Sequence, residues 1–340
     1  MFARPFPKPS LTNSLIYEVA PELIVNQVRG IIENALPFKR LYLSTQMHGY
    51  LLADEDHRLL TPYISWQDQR SLSAAGAADA DTENCWFDLF PVQLPLQSGT
   101  AVKPNLPVCS LFALQQMHPE RFARAKHFYT LGSYLMYCLT GKNTTHITDA
   151  AATGLYYAWT GQPLDLLFPA LSIPQAKMDL LPAAHWRDAE VMAPIGDQQA
   201  SVYGSGIVED LHYVLNLGTA GQLCVVAKGF VSGSFESRPY FSGTTLCTVT
   251  RLPGGREIAA SAGDGSRAMA VQLADIYREA MNRLPRRNKL IVIGGAARHH
   301  KDLLEEVCER IGIEWELRPS PDALDGLSFL STDGYREAFR

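Results

Sequence analysis

The stretch "LHYVLNLGTAGQLCVVAKG", Leu211–Gly229, decides the fold class. Two apolar runs flank the glycine-rich "GTAG" of Gly218–Gly221, the pattern of two strands joined by a tight hairpin turn. Further along, "KLIVIGGAARHHKDLLEEVCERIG", Lys289–Gly312, reads as a buried strand, a Gly-Gly turn and a helix. Between the two, "SRAMAVQLADIYREAMNRL" places Met269, Leu273, Ile276, Tyr277, Ala280 and Leu284 on one helical face. "IEWEL", Ile313–Leu317, adds a strand, and a short helix follows. A hairpin followed by alternating helix and strand is mixed α/β layering.

The first half extends the pattern. "PELIVNQVRGIIENAL" sets Ile24, Val28, Ile31, Ile32 and Ala35 on one helical face, and "RLYLST" follows as a strand ending at "QMHG". "YLLADEDHRLL" reads as a hairpin, and "YISW" as a short strand leading into "QDQR". Ser71–Pro107 carries only a weak pattern. "CSLFALQQMHPERFARA" and "LGSYLMYCLTG" are helix candidates, the second stopping at Gly141, and "THITDAAATGLYYAWTG" reads as a loop. At 340 residues the chain is longer than one core usually serves. Two α/β domains with a cleft between them are expected, dividing as residues 1–204 and 205–340.

Composition excludes several classes of partner. The chain is 46% hydrophobic and 19% charged with a net charge of −5, so it carries no electrostatic footprint for nucleic acid. The basic run "RLPRRNK", Arg283–Lys289, lies between a helix and a strand pattern and reads as a solvated loop. No apolar run reaches membrane-spanning length, and "MFARPFPKPSLTNS" has no secretory h-region. The six cysteines show neither a CxxC pair nor zinc-ligand spacing, which fits reduced thiols in a cytoplasmic protein.

Polar residues gather just after strand ends, where α/β sheets bind ligands. "TQMHG" sets His48 at such an end, as a structural histidine or a ligand contact. "SWQDQR" combines Trp66, Asp68 and Arg70, a mixture suited to polyhydroxylated ligands and equally to a helix start capped by Asp68. "GTAG" is a plain hairpin turn or a backbone that a phosphate can approach. "IGGAARH" is a tight turn or a seat for a nucleotide base or ribose. "APIGDQQASVYGSG", Ala193–Gly206, sets one acid, Asp197, among small residues and amides, as a surface turn or a carboxylate beside something that comes very close. Neither a Walker P-loop nor a Rossmann fingerprint is present.

In chain order, "QMHG", "WQDQR", "TDAAATGL", "GDQQA", "LGTAG" and "IGGAARH" resemble the FGGY carbohydrate kinases over about Tyr17 to Leu330. The flanks "GDQQASVYG", "YVLNLGTAGQL" and "RPYFSGTTL" look most like the sedoheptulokinase branch. The resemblance implies the actin/hexokinase-like ATPase fold with ribonuclease H-like domains, and a kinase using ATP and Mg²⁺ on a ketose or polyol, sedoheptulose-like sugars being favoured. It implies Asp197 as catalytic base and Gln46, Met47, His48, Trp66, Asp68 and Arg70 as sugar contacts. Gly218, Thr219 and Ala220 match the phosphate-contacting hairpin, and Gly294 and Gly295 the adenosine turn. The family's opening hairpin with Asp-x-Gly-Thr-Thr has no counterpart before "TQMHG", and the segment between "GTAG" and "IGGA" is short. An N-terminally truncated kinase is therefore expected, its "RLYLST" edge covered by a second copy or another chain. A pseudokinase that keeps sugar binding alone is the alternative expectation.

Overall fold

The structure, a computed structural model, describes residues 4–75, 84–91, 98–165, 167, 171, 177–218, 220–260, 266–318 and 323–332. The chain divides into two compact units, Met1–Gly196 and Asp197–Arg340.

In the first unit, β1 (Leu11–Thr12) and β2 (Tyr17–Val19) precede α1 (Pro21–Asn34). Pro21 opens α1 at a position where its missing N–H costs nothing, and Ile24, Val25 and Ile32 face the core. The run expected as one strand, "RLYLST", forms two: β3 (Arg40–Leu41) and β4 (Ser44–Thr45), which join different sheets. Then come β5 (Tyr50–Ala53) and β6 (Tyr63–Ile64), joined by a turn in which Asp54 Oδ1 accepts from the Asp56 and Arg58 amides. That side-chain turn closes the hairpin that "YLLADEDHRLL" announces.

After α2 (Trp86–Leu89), the single helix expected over Cys109–Ala125 is two, α3 (Pro107–Met117) and α4 (Pro119–Ala123). Pro119 cannot donate into the preceding turn, and His118 before it leaves the helical region. β7 (His127–Thr130) leads into α5 (Leu131–Thr140), which ends on Gly141 in the left-handed conformation. The stretch expected as a loop opens with one helical turn, α6 (Ile147–Ala150), because His146 caps it through the Thr148 amide. β8 (Ala183–Trp186), β9 (Ala189–Met192) and β10 (Ile195–Gly196) complete the unit. Its five-stranded sheet has the order β1-β2-β6-β5-β7, with smaller sheets β3-β9-β8 and β10-β4. Among the described residues β3 and β4 each have a strand on one side only.

The second unit begins with α7 (Asp197–Gly204), followed by the hairpin β11 (His212–Leu217) and β12 (Gly221–Lys228), paired antiparallel as the opening stretch predicts. β13 (Glu236–Pro239), β14 (Thr244–Leu252), α8 (Gly255–Ala260) and α9 (Ser266–Arg283) come next. Last come β15 (Lys289–Ile293), α10 (Gly295–His299), α11 (Lys301–Ile311), β16 (Glu314–Leu317) and α12 (Ala323–Thr332). The six strands lie in the order β13-β14-β12-β11-β15-β16, antiparallel as far as β11 and parallel beyond it. The parallel half follows from the intervening helices, since a parallel pair needs a crossover.

One face of this sheet packs Leu215, Leu217, Leu223 and Val225 against Leu273, Tyr277 and Leu304 of α9 and α11. Strand pairing puts Cys224, Leu246, Thr248, Glu236 and Arg238 on the opposite face. No helix among the described residues is long and apolar enough to cross a membrane. The six cysteines are free of disulfides.

Candidate active site

Two short parallel strands carry the first group of expected site residues. Ser44 pairs with Ile195 and Thr45 with Gly196, so β4 and β10 end level with one another. The chain continues as Gln46 from one and as Asp197 from the other. Strand ends of this kind are where α/β sheets commonly present ligand-binding residues.

Met47 is buried, whereas Gln46 and His48 are half-buried. His48 has a φ of 62°, and its Nδ1 lies 2.7 Å from the Ala152 carbonyl oxygen. A carbonyl only accepts, so the contact fixes the ring proton on Nδ1. Gly49 is obligatory at this bend, because a Cβ there would lie 2.2 Å from the Tyr63 hydroxyl oxygen.

Trp66 is 42% exposed, and its carbonyl oxygen accepts from Asn105. Asp68 and Arg70 are buried and bound to each other. Arg70 Nε donates to Asp68 Oδ1 at 2.8 Å, and its Nη2 donates to Asp68 Oδ2 at 2.9 Å and to Glu18 at 2.7 Å. The Tyr17 amide completes the set on Asp68 Oδ2 at 2.8 Å. Paired acids keep Arg70 protonated despite its burial. This pair fastens the Trp66 loop to β2.

Asp197 opens α7, and its Oδ1 accepts from the Gln198 amide at 2.9 Å. Burial pushes its carboxyl up to about 6, against the downward pull of that amide and of the Arg238 guanidinium. A carboxylate so placed ionises near neutrality and is a stronger base than an ordinary surface aspartate.

Arg238 was not legible as a site residue. It is buried, with Nε 2.8 Å from Glu236 Oε2, and its Nη1 donates to Gln198 Oε1. Because Gln198 turns its oxygen to Arg238, its Nε2 donor is left without a partner among the described residues. Gln199 Oε1 and Tyr240 Oη, also buried, are in the same condition beside the end of β13. Buried polar atoms without partners are costly and call for a ligand or water, so this end of α7 fits a polyhydroxylated molecule.

The second group lies around the GTAG hairpin. Gly218 O accepts from Gly255 N at 2.8 Å, and a Cβ on Gly255 would lie 2.7 Å from Ala296 Cβ. Gly294 has a φ of 103°, and its missing Cβ would fall 2.5 Å from the Leu217 carbonyl oxygen. Three glycine turns therefore meet at the ends of β11, β14 and β15. The structure brings Gly218, Gly294 and Gly295 together there, with Ala220 beside Gly254. Thr219 lies outside the described residues.

The third turn, Gly254–Gly255, was missed in the sequence, although "LPGG" after an apolar strand is a turn signal. Nothing lies within 4 Å of a Cβ built on Gly295, which leaves the backbone open on that side. An open, amide-rich cradle of this sort fits a nucleotide. Gly294→Ala is expected to raise the Kd for an adenine nucleotide at least tenfold, because the left-handed φ and the Leu217 carbonyl both oppose a side chain. Isothermal titration of the variant with ADP would measure this.

The fold is that of the actin/hexokinase-like ATPases. A ligand-bound xylulose kinase from Lactobacillus acidophilus superposes with a TM-score of 0.79 over 97% of this chain and 83% of its own, at 18% identity. The model of the FGGY family of carbohydrate kinases, N-terminal domain, matches residues 24–205. The chain belongs to the FGGY family of carbohydrate kinases. In sequence it is 28% identical over 209 residues to the xylulose kinase of Escherichia coli strain K12, covering 57% of this chain and 41% of that protein. It is 30% identical over 118 residues to the rhamnulokinase of Halalkalibacterium halodurans, covering 35% of this chain and 24% of that protein. The matches thus span well under half the length of these curated relatives.

Proposed function

We propose that the chain transfers the γ-phosphoryl group of ATP to a hydroxyl of a ketose or polyol, with Asp197 as general base. The observation that carries this reading is the half-buried Asp197 carboxylate at the start of α7, raised to about 6, beside the unpartnered Gln198 Nε2 donor. As the sugar oxygen attacks phosphorus, Asp197 takes its proton, while Gln198 Nε2 holds a neighbouring oxygen. Gln46, Met47 and His48 border the sugar after β4, and Trp66 covers an apolar face of it. Asp68 and Arg70 hold the Trp66 loop in place.

ATP is the phosphoryl donor in this reading, its phosphates lying against Gly218 and Ala220 and its adenosine against Gly294 and Gly295. Mg²⁺, when bound with the phosphates, would supply charge neutralisation. No cluster of three His, Cys, Asp or Glu side chains stands among the described residues, so none is assigned to it. The names of the relatives point to keto-sugars, and the flanks of "GDQQASVYG" favour a sedoheptulose-like one.

The test is incubation of the chain with Mg-ATP and xylulose, rhamnulose, sedoheptulose or glycerol, read by mass spectrometry for an added phosphoryl group. Product from at least one sugar is expected. A sugar that raises Tm but is never phosphorylated would replace this reading with the pseudokinase one. The rate should fall on an acid limb with its midpoint near pH 6, since protonated Asp197 cannot accept a proton. A limb near pH 4 would show that the base is another, unburied carboxylate.

A further inference from the structure

We propose that Arg238 is a positioning residue that fixes the Gln198 amide and, by its buried charge, favours the Asp197 carboxylate, and that Glu236 sets how strongly it does so. The proposal rests on the reading of Asp197 as base, but its central measurement does not need turnover.

The geometry starts in β13. Glu236 and Arg238 are two residues apart on a strand, so both side chains leave on the same face, the one turned away from α9 and α11. Both are about 95% buried. Arg238 spends Nε and Nη2 on Glu236 Oε2, and the Thr250 hydroxyl donates to Glu236 Oε1 at 3.3 Å. The remaining arm, Nη1, reaches Gln198 Oε1. Gln198 in turn gives its backbone N–H to Asp197 Oδ1. Hydrogen bonds thus join Glu236, Arg238 and the Gln198 side chain, and the Gln198 backbone N–H, on the same residue, is bound to Asp197.

Charge alone gives the direction of each effect. A buried cation favours the ionised form of a nearby carboxylate, and an anion clamped on that cation weakens it. Two of the groups near these contacts carry no charge near neutrality. Cys224 on β12 and Tyr240 after β13 are held protonated by burial. Tyr203 lies further along α7, and α12, packed along α7, carries Asp325 in its first turn. Gln198 cannot rotate its amide while Arg238 holds the oxygen, so the donor always faces away from β13.

The test is NMR titration of Asp197 in the full chain labelled at aspartate Cγ, the signal being assigned by its loss in Asp197→Asn. Arg238→Met alone would strand Glu236 as a buried charge and risk unfolding, so the pair is removed together as Glu236→Gln/Arg238→Met. In that variant the Asp197 midpoint should rise by about one pH unit. In Glu236→Gln, where Arg238 keeps its charge and loses its clamp, the midpoint should fall.

Opposite movements support the proposal. An Asp197 midpoint unchanged in both variants, or moved the same way in both, overturns it. Failure of the kinase reading shows elsewhere, as Asp197→Asn protein that still phosphorylates sugar. If the chain is active, the acid limb of kcat should follow the NMR midpoints in each variant.

Discussion

Asp197→Asn should abolish measurable sugar phosphorylation, a fall of roughly 10²–10⁴-fold for a lost general base, while leaving the fold and sugar affinity in place. Asparagine keeps the oxygen that accepts the Gln198 amide, so α7 still starts at the same residue. It lacks only the capacity to take a proton.

The same substitution makes a second, oppositely signed prediction. The folded-state value for Asp197, about 6, stands above that of an unfolded aspartate, about 3.9. Its contribution to stability is therefore fully present below about pH 3.9 and lost as pH rises through 6. At pH 7 the native carboxylate is the strained form, and the Asp197→Asn variant should have a Tm equal to or above the parent's. A Tm well below the parent's would mean that Asp197 is a structural anchor. Thermal melts at pH 4.5 and 7.5 beside product assays separate the two roles.

Gly326→Ala is expected to carry the largest loss of stability. Gly326 lies where α12 crosses α7, and a Cβ there would stand 1.9 Å from the Ala200 carbonyl oxygen. The atom in the way is backbone, three residues from Asp197, and cannot swing aside. Separating the helices to admit one methyl group should cost about 1–3 kcal/mol or more and should tilt the helix that carries Asp197. Denaturant midpoints would show the loss, with activity falling further than the unfolded fraction explains. Gly295→Ala is the control, since nothing lies within 4 Å of its Cβ and stability should scarcely change.

Most of the second unit is legible in the sequence because each element announces itself locally. The GTAG hairpin, the amphipathic face of α9 and the strand–turn–helix at Gly294 all follow from periodicity and glycine placement. The first unit is less so. "RLYLST" has the composition of one strand, but its halves answer to partners about 150 residues away, β9 and β10, which no local pattern names.

The site divides the same way. Asp197 stood out because small residues and amides surround it. Arg238 did not, because nothing local in "ESRPY" ties it to Gln198, forty residues earlier in the chain. Gly326 was hidden for the same reason, as its need for a bare backbone comes from a helix far away in sequence. Asp68 and Arg70 form a mixture that suits a sugar, and the structure shows them paired with each other and with Glu18.

The pairing of Thr45 with Gly196 also has a consequence in time. A ribosome adding roughly 5–20 residues per second needs about eight to thirty seconds between the two strands. Through that interval Ser44 and Thr45 wait without their partner, and Gln46 has nothing to be aligned with. Asp197 arrives just after that, since it is the residue after Gly196. A translational pause placed inside that window would prolong the time β4 spends without its partner strand.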